Sequence, residues 1–351
     1  MHRSFFLALL LFIPLLAQTT PVQAATRIVE GIPLADPAPS GERDLQGRIF
    51  FSANLMGEFE PCQCPDTPLG GAAQAAALVD SARVDGPPVF WLDAGDRLFR
   101  FDMAMTGTDE AERKARALLL VDSGSVSGLD ALGIGRLDLG AGLDYLRRLE
   151  QRAGFAFLSA NLLDEDGSLV FRPSLLLARG GRTLGITSVL PQGVTGLGYE
   201  SADPYKAAKQ QVASLRAQGA ERVIILSNLG MKDDAKLARV SKADLVLSSH
   251  SRELTPTGRT LGRAIAGEPA ARGRYLGDVR WYAEAPKRSN GLIVTTIPVR
   301  TAGPQHPKVT KLVESTLQRL ADPVLGVPPI PIESFDDERF RERQKAAPAK
   351  P

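Results

Sequence analysis

Histidine and cysteine are scarce in this chain, and neither sign of charge dominates it. Three histidines stand among 351 residues, and one of them is His2. A metal centre built from several imidazoles is therefore short of ligands from the outset. Two cysteines exclude a scaffold held by several disulfides. Lys and Arg total 42 against 40 for Asp and Glu, which leaves no basic field for nucleic acid or an anionic membrane. Past the N-terminus no apolar run approaches the ~20 residues that span a bilayer. The remaining composition, 44% hydrophobic and 23% charged, is enough to bury a sizeable core.

The first residues set the compartment. His2 and Arg3 precede an apolar run over residues 5–17, and Val22 and Ala24 offer the small side chains that a signal peptidase needs. Residues 1–24 read as a secretory signal. No Cys follows the run where a lipoprotein would need one, so the expected location is an oxidising exterior space, a bacterial periplasm. Residues 25–46 mix Pro, Gly and charge as a leader, and 321–351 do the same as a Pro-rich tail expected to be mobile.

Between these ends, residues 47–320 alternate. "GRIFFSANL" and "PPVFWLDAGD" are short runs rich in β-branched and aromatic residues, and "GGAAQAAALVDSARV" between them carries apolar residues at helical spacing. The beat continues through the strand "LDALGIG", the helix "GAGLDYLRRLEQRAG" and the strand "FAFLSANLL". A pair follows, "SLLLARGG" with "RTLGITSVLP", then the helix "DPYKAAKQQVASLRAQGA", the strand "RVIILSNLG", the helix "DDAKLARVSK" and the strand "ADLVLSSHS". Such alternation predicts a single α/β domain with largely buried strands.

In such folds chemistry gathers where strands end in short loops. The strand-end pieces are "SANLMG", "DAGDRL", "GIGRLDLG", "LSNLG" and "SSHSR". Their order and spacing resemble the calcineurin-like metallophosphatases, most closely the N-terminal catalytic domain of bacterial 5′-nucleotidases, over residues 47–299. The resemblance implies a four-layer α/β/β/α sandwich of two mixed sheets and a phosphoesterase ancestry. The family's first ligand motif, D-x-H, falls on Asn54-Leu55-Met56, its G-D on Gly95-Asp96, and its G-N-H-E on Gly135-Arg136-Leu137-Asp138. The family's lone His becomes Asn228, and its G-H-x-H becomes Ser249-His250-Ser251-Arg252. Asp96 and His250 are thus the surviving metal-ligand types, and the position of the catalytic His holds Leu137.

The residues themselves agree. Asn54 is neutral, and Met56 is too soft for Mg, Mn or Zn. A positive charge such as Arg136 or Arg252 ~4 Å from a dication costs on the order of 8 kcal/mol at an effective dielectric of about 20. His250 at a strand end can equally be a hydrogen-bonded structural residue, and Asp96 can cap the following turn or pair with an arginine. His306, in "GPQHPK", reads as part of a surface loop.

Both thiols fall in one tripeptide, Cys62-Gln63-Cys64, within "EPCQCPDTPLGG". The loop resembles a subset of 5′-nucleotidase-like bacterial proteins with a Pro-Cys-x-Cys insertion after a degenerate first motif, some of which carry selenocysteine there. As a staple the pair is poor: closing a loop of ~3 residues removes only about 1.6 kcal/mol of unfolded-chain entropy. Three functions stay open. One is a non-hydrolytic exported protein whose Cys62 and Cys64 exchange electrons with a periplasmic thiol or electron-transfer partner or bind a soft metal. Another is a nucleotide or phosphoester hydrolase with one divalent metal on Asp96, Asn54, Asn228 and His250. The third is a module binding an anion at Arg136 and Arg252. Substrate and oligomeric state are not encoded in any motif.

Overall fold

A computed structural model of the chain describes residues 45–63, 68–84, 86–100, 108–283 and 290–321. The signal, almost all of the leader, the tail beyond Ala321 and Cys64 lie outside the described residues. In chain order the strands are β1 (Leu45–Ser52), β2 (Val89–Asp93), β3 (Ala131–Gly133), β4 (Ala156–Leu158), β5 (Leu162–Asp164), β6 (Ser174–Arg179), β7 (Arg182–Val189), β8 (Thr195–Gly196), β9 (Tyr199–Ser201), β10 (Arg222–Ser227), β11 (Leu245–Ser248), β12 (Arg259–Leu261), β13 (Ala264–Gly267), β14 (Tyr275–Tyr282) and β15 (Leu292–Pro298). The helices are α1 (Ala72–Val84), α2 (Thr108–Ser127), α3 (Leu143–Arg152), α4 (Pro204–Ala217), α5 (Met231–Ser241) and α6 (Pro307–Ala321).

Two six-stranded mixed sheets form, ordered β15-β14-β1-β2-β3-β4 and β12-β13-β11-β10-β7-β6, with β5, β9 and β8 in a small third sheet. In the first, β1 to β4 run parallel, and β14 runs antiparallel to both of its neighbours, β1 and β15. In the second, β13, β11, β10 and β7 are parallel, with antiparallel β12 and β6 at the edges.

Period-two alternation builds both cores at once. Ile49 and Phe51 of β1, with Phe90 and Leu92 of β2, enter the cluster shared with Ile186, Ile224 and Leu247 of the second sheet. Phe50, Val89 and Trp91, one residue out of phase, enter the cluster that α1, α2, α3 and α6 cover. Each such large side chain contributes about 1.5–3 kcal/mol by leaving water. Strands buried on both faces are therefore uniformly apolar. Close approach of the sheets dictates one glycine: a Cβ on Gly133 would lie 2.7 Å from Leu226 Cβ and from Ser188 Oγ.

Several local readings are corrected. "FAFLSANLL" is two strands, β4 and β5, in different sheets. The chain turns between them because Asn161 bonds across it, donating to the Leu190 and Ala202 carbonyls at 2.8 Å and accepting from Leu190 N–H at 2.9 Å. Helix α2, missed by the alternation, carries the interruption Ser123-Gly124-Ser125 near its end. His306 is buried, not a surface residue. Its Nδ1 accepts the Val309 N–H at 3.3 Å at the start of α6, and its Nε2 lies 3.1 Å from Asp80 Oδ2. Among the described residues no helix is long and apolar enough to cross a membrane.

Candidate functional site

The carboxyl ends of β1, β2 and β3 meet those of β10 and β11, and the loops leaving them form one hydrogen-bonded cluster. Asn54 follows β1. Its Nδ2 donates to Glu268 Oε1 at 2.8 Å and to the Ala270 carbonyl at 3.0 Å, and its Oδ1 accepts the His250 N–H at 2.7 Å. Asp96 follows β2, and its Oδ1 accepts the Leu137 N–H at 2.9 Å. Asn228 follows β10; its Oδ1 accepts the Arg136 N–H at 3.0 Å, and its Nδ2 donates to Ser249 Oγ at 2.8 Å. Ser249 Oγ donates in turn to the Ala94 carbonyl at 2.9 Å, closing the circuit between the sheets.

Backbone conformation marks the same residues. Asn54, Met56, Asp96, His250 and Arg252 all have left-handed φ, between 53° and 77°. Asn and Asp tolerate this region, but for Met, His and Arg it costs of order 1 kcal/mol each, and such strain persists where the surroundings impose it. The loops hold a shape that these side chains do not themselves favour.

Asp138 fastens the cluster from beneath. Fully buried, it accepts N–H bonds from Leu98 at 2.7 Å, Gly135 at 2.8 Å and Asp96 at 2.9 Å. Burial, then the Asp96 carboxylate, push its pKa up, while the bonds from Leu98 and Gly135 oppose the rise. Glu268 is also buried, accepts the Arg252 N–H at 2.6 Å, and is pushed up to about 8 by burial. Neither residue carries a sequence signal of its own. Asp138 occurs only as the last member of a degraded motif, and Glu268 stands alone after a strand.

The remaining expected positions join the cluster through main-chain N–H groups, those of Arg136, Leu137 and Arg252, while their side chains and that of Met56 go elsewhere. Leu137 is buried, so no titratable side chain stands at that position. Met56 lines a cavity of about 280 Å³ with Leu98, Phe99, Arg100, Arg113 and Arg116, on which Asp96, Asn228 and His250 do not border. Arg252 is exposed, and Arg136 is half-buried with no partner for its Nε among the described residues. Asp96 does not cap the turn that follows it but reaches across to the loop after β3, and among the described residues it pairs with no arginine; Arg97 pairs with Asp93 at 2.8 Å.

The fit of this set to divalent metal follows from its unused atoms. Asp96 Oδ2 and His250 Nδ1 are buried without a hydrogen-bond partner among the described residues and stand 3.7 Å apart. No group of three or more His, Cys, Asp or Glu side chains among those residues is arranged to hold a metal. Glu268 Oε2 is likewise buried without a partner among the described residues, and two carboxylate oxygens with one imidazole nitrogen do not make the two coordination shells of a binuclear centre.

Just beyond the carboxyl ends of β10 and β11, Asp234 of α5 accepts from Ser227 Oγ at 2.5 Å and from Ser248 Oγ, tying the two strands together. Burial pushes it up to about 7. A carboxyl raised in the folded state contributes stability that is complete below its unfolded pKa, near 3.9, and lost as pH rises through about 7. Melting temperatures of wild type and Asp234→Asn between pH 4 and pH 8 are expected to converge or cross, with the variant gaining relative to wild type as pH rises. A difference independent of pH would show that Asp234 is ionised throughout.

The loop after β1 also carries Cys62, which is disulfide-bonded. The chain's only other cysteine, Cys64, lies outside the described residues. Cys62 N–H donates to the Leu69 carbonyl at 2.8 Å, and Leu69 N–H donates back to Cys62 Sγ at 3.3 Å. Gly70 N–H, bonded to the Val299 carbonyl at 2.8 Å, anchors the loop beside β15.

No family model matches the chain. A 5′-nucleotidase of Mus musculus is 28% identical over 235 residues, 61% of this chain and 39% of that protein. One of Rattus norvegicus is 26% identical over 211 residues, 56% and 35% respectively, so the chain spans less than half the length of these curated relatives. Among solved structures, a 5′-nucleotidase precursor from Thermus thermophilus superposes with TM-score 0.66 at 20% identity, covering 78% of this chain and 59% of that one. The calcineurin-like phosphoesterase YfkN of Bacillus subtilis gives 0.66 at 17% identity, covering 79% and 98%. The sandwich of two mixed sheets and its structural neighbours agree: this chain has the fold of the calcineurin-like phosphoesterases and 5′-nucleotidases.

Proposed function

We propose that this chain keeps the metallophosphatase fold without two-metal hydrolysis, and that the loop of Cys62 and Cys64 carries its chemistry as a thiol–disulfide couple in an exterior compartment. The observation that carries the reading is the engagement of the former ligand positions. Asn54, Asn228 and one oxygen of Asp96 are hydrogen-bonded to protein, and Leu137 supplies no proton. Hydrolysis in this fold family draws on Lewis-acid metals and a proton donor, and both are missing from the donor set described.

Two features support the thiol couple. Cys62 is bonded through sulfur, and its loop is held at both ends by main-chain bonds to Leu69 and Val299. Exchange with a partner thiolate forms a new S–S bond to one sulfur, breaks the existing one, and leaves the electron pair on the other. The Leu69 N–H directed at Cys62 Sγ favours negative charge there, which makes Cys62 the leaving sulfur. The partner is a dithiol protein or a small thiol.

Equilibration with thiol buffers of known potential tests the couple. A potential above about −300 mV is expected, with little change in melting temperature for the Cys62→Ser, Cys64→Ser double variant. A lower potential together with a large loss of stability would identify an inert staple.

A further inference from the structure

Beneath the site, between the first sheet and helices α1 and α2, lies a cavity of about 30 Å³. Trp91, Arg97, Ser123, Ser52 and Ser127 all line it. Trp91 Nε1, Arg97 Nε and Ser123 Oγ are buried and make no hydrogen bond to any described residue. Their residues are only 4%, 3% and 2% exposed. Three residues that line one small cavity and each carry an orphaned polar atom are a rare coincidence in a folded protein, where buried donors are almost always satisfied.

We infer that this cavity binds one structural water, accepting from Trp91 and Arg97 and donating to Ser123, which completes a polar post under the Asp96 loop. Size supports it, since ~10–15 Å³ of such space admits one water and two to four polar partners fix it. Charge decides between water and a small anion. Arg97 already pairs with Asp93, Nη1 to Oδ2 at 2.8 Å, and Ser52 Oγ donates to the same oxygen at 2.6 Å. A buried anion would add an unpaired charge beside that carboxylate, whereas water adds none. The post continues upward, because Asp93 Oδ1 accepts the Gly95 N–H at 2.9 Å, immediately before Asp96. The water therefore connects α2 to the loop that presents Asp96.

The full chain carries two tryptophans, so ¹⁵N-labelling of tryptophan gives two indole signals that Trp91→Phe assigns. The Trp91 indole N–H is expected to show a cross-relaxation peak to water with the sign of a long-lived bound molecule. Ser123→Val, which fills the cavity with methyl groups, is expected to abolish that peak and to quicken hydrogen exchange at the Gly95 amide. Trp91→Phe is expected to lower the melting temperature, since it removes a satisfied donor. Absence of the peak in wild type would overturn the inference, as would a rise in melting temperature for Trp91→Phe, which marks an orphaned donor. A shift of the Trp91 signal when bromide replaces chloride in the buffer would identify an anion and equally overturn it.

Discussion

Asp138→Ala is expected to be the most damaging single substitution at the site, lowering stability by about 3–6 kcal/mol in urea unfolding. The carboxylate accepts three main-chain N–H groups, from Leu98, Gly135 and Asp96, and water cannot replace it because the residue is fully buried. Each stranded donor costs roughly 1–3 kcal/mol, and the three are not fully additive because they share one acceptor. Some of the loss is offset, since the side chain itself is held at a cost: its pKa is raised by burial and by Asp96. Asp138→Asn is the milder change. It keeps one acceptor oxygen but sets an Nδ2 donor against the amides that the other oxygen served, so its loss is expected to be smaller than that of the alanine variant and still measurable. Wild-type stability in both variants would show that the three bonds do not fix the loop.

Gly135→Ala is expected to cost about 3 kcal/mol although its backbone, at φ −93° and ψ 164°, suits any residue. The reason is space. A Cβ there would lie 2.3 Å from Asp96 Oδ1, 2.4 Å from Asp96 N and 2.9 Å from Asn228 Nδ2. Neither side chain can withdraw without breaking its bond to Leu137 or Arg136, so the substitution separates β2's loop from β3's. Overpacking of this kind usually costs 1–3 kcal/mol, and here a network is lost with it. Amide exchange should quicken at Asp96, Arg136 and Leu137 together. A variant as stable as wild type would mean that the loops have slack which the hydrogen-bond circuit does not suggest.

How much of this is legible in the sequence differs between the fold and the site. Alternating strands and helices declare themselves because doubly buried strands such as "RVIILS" admit little but β-branched and aliphatic residues. Their ends can be placed within a few residues for the same reason, and the convergence of Asn54, Asp96, Asn228 and His250 follows from strand order. What the sequence hides is the use of each polar atom. Nothing in "AIAGEP" distinguishes Glu268 from a surface acid, and only the fold brings it within 2.8 Å of Asn54. His306 reads as a loop residue because prolines and polar residues surround it, whereas Pro307 opens a helix that the imidazole caps. The left-handed backbone at Asn54, Met56, Asp96, His250 and Arg252, five of nine such non-glycine residues among those described, is equally hidden, because Met, His and Arg give no hint of positive φ. Their clustering shows that the loops keep a conformation set by their neighbours rather than by their own side chains.

Arg136 and Arg252 act differently from what a simple charge argument anticipates. Arg252 points its charge to an exposed surface, and its main chain, not its guanidinium, joins the network through Glu268. The poor fit to two metals therefore rests less on repulsion than on number: among the described residues of the cluster the unengaged donors are Asp96 Oδ2, His250 Nδ1 and Glu268 Oε2.

The most direct test of the account is elemental analysis of the protein after incubation with excess Mn²⁺ and Zn²⁺ and removal of free ions, with turnover of nucleotides and activated phosphate esters measured on the same sample. At most one loosely held ion per chain, lost on brief chelation, and turnover at the background rate are expected. Two retained ions per chain with phosphoester hydrolysis above background would contradict it.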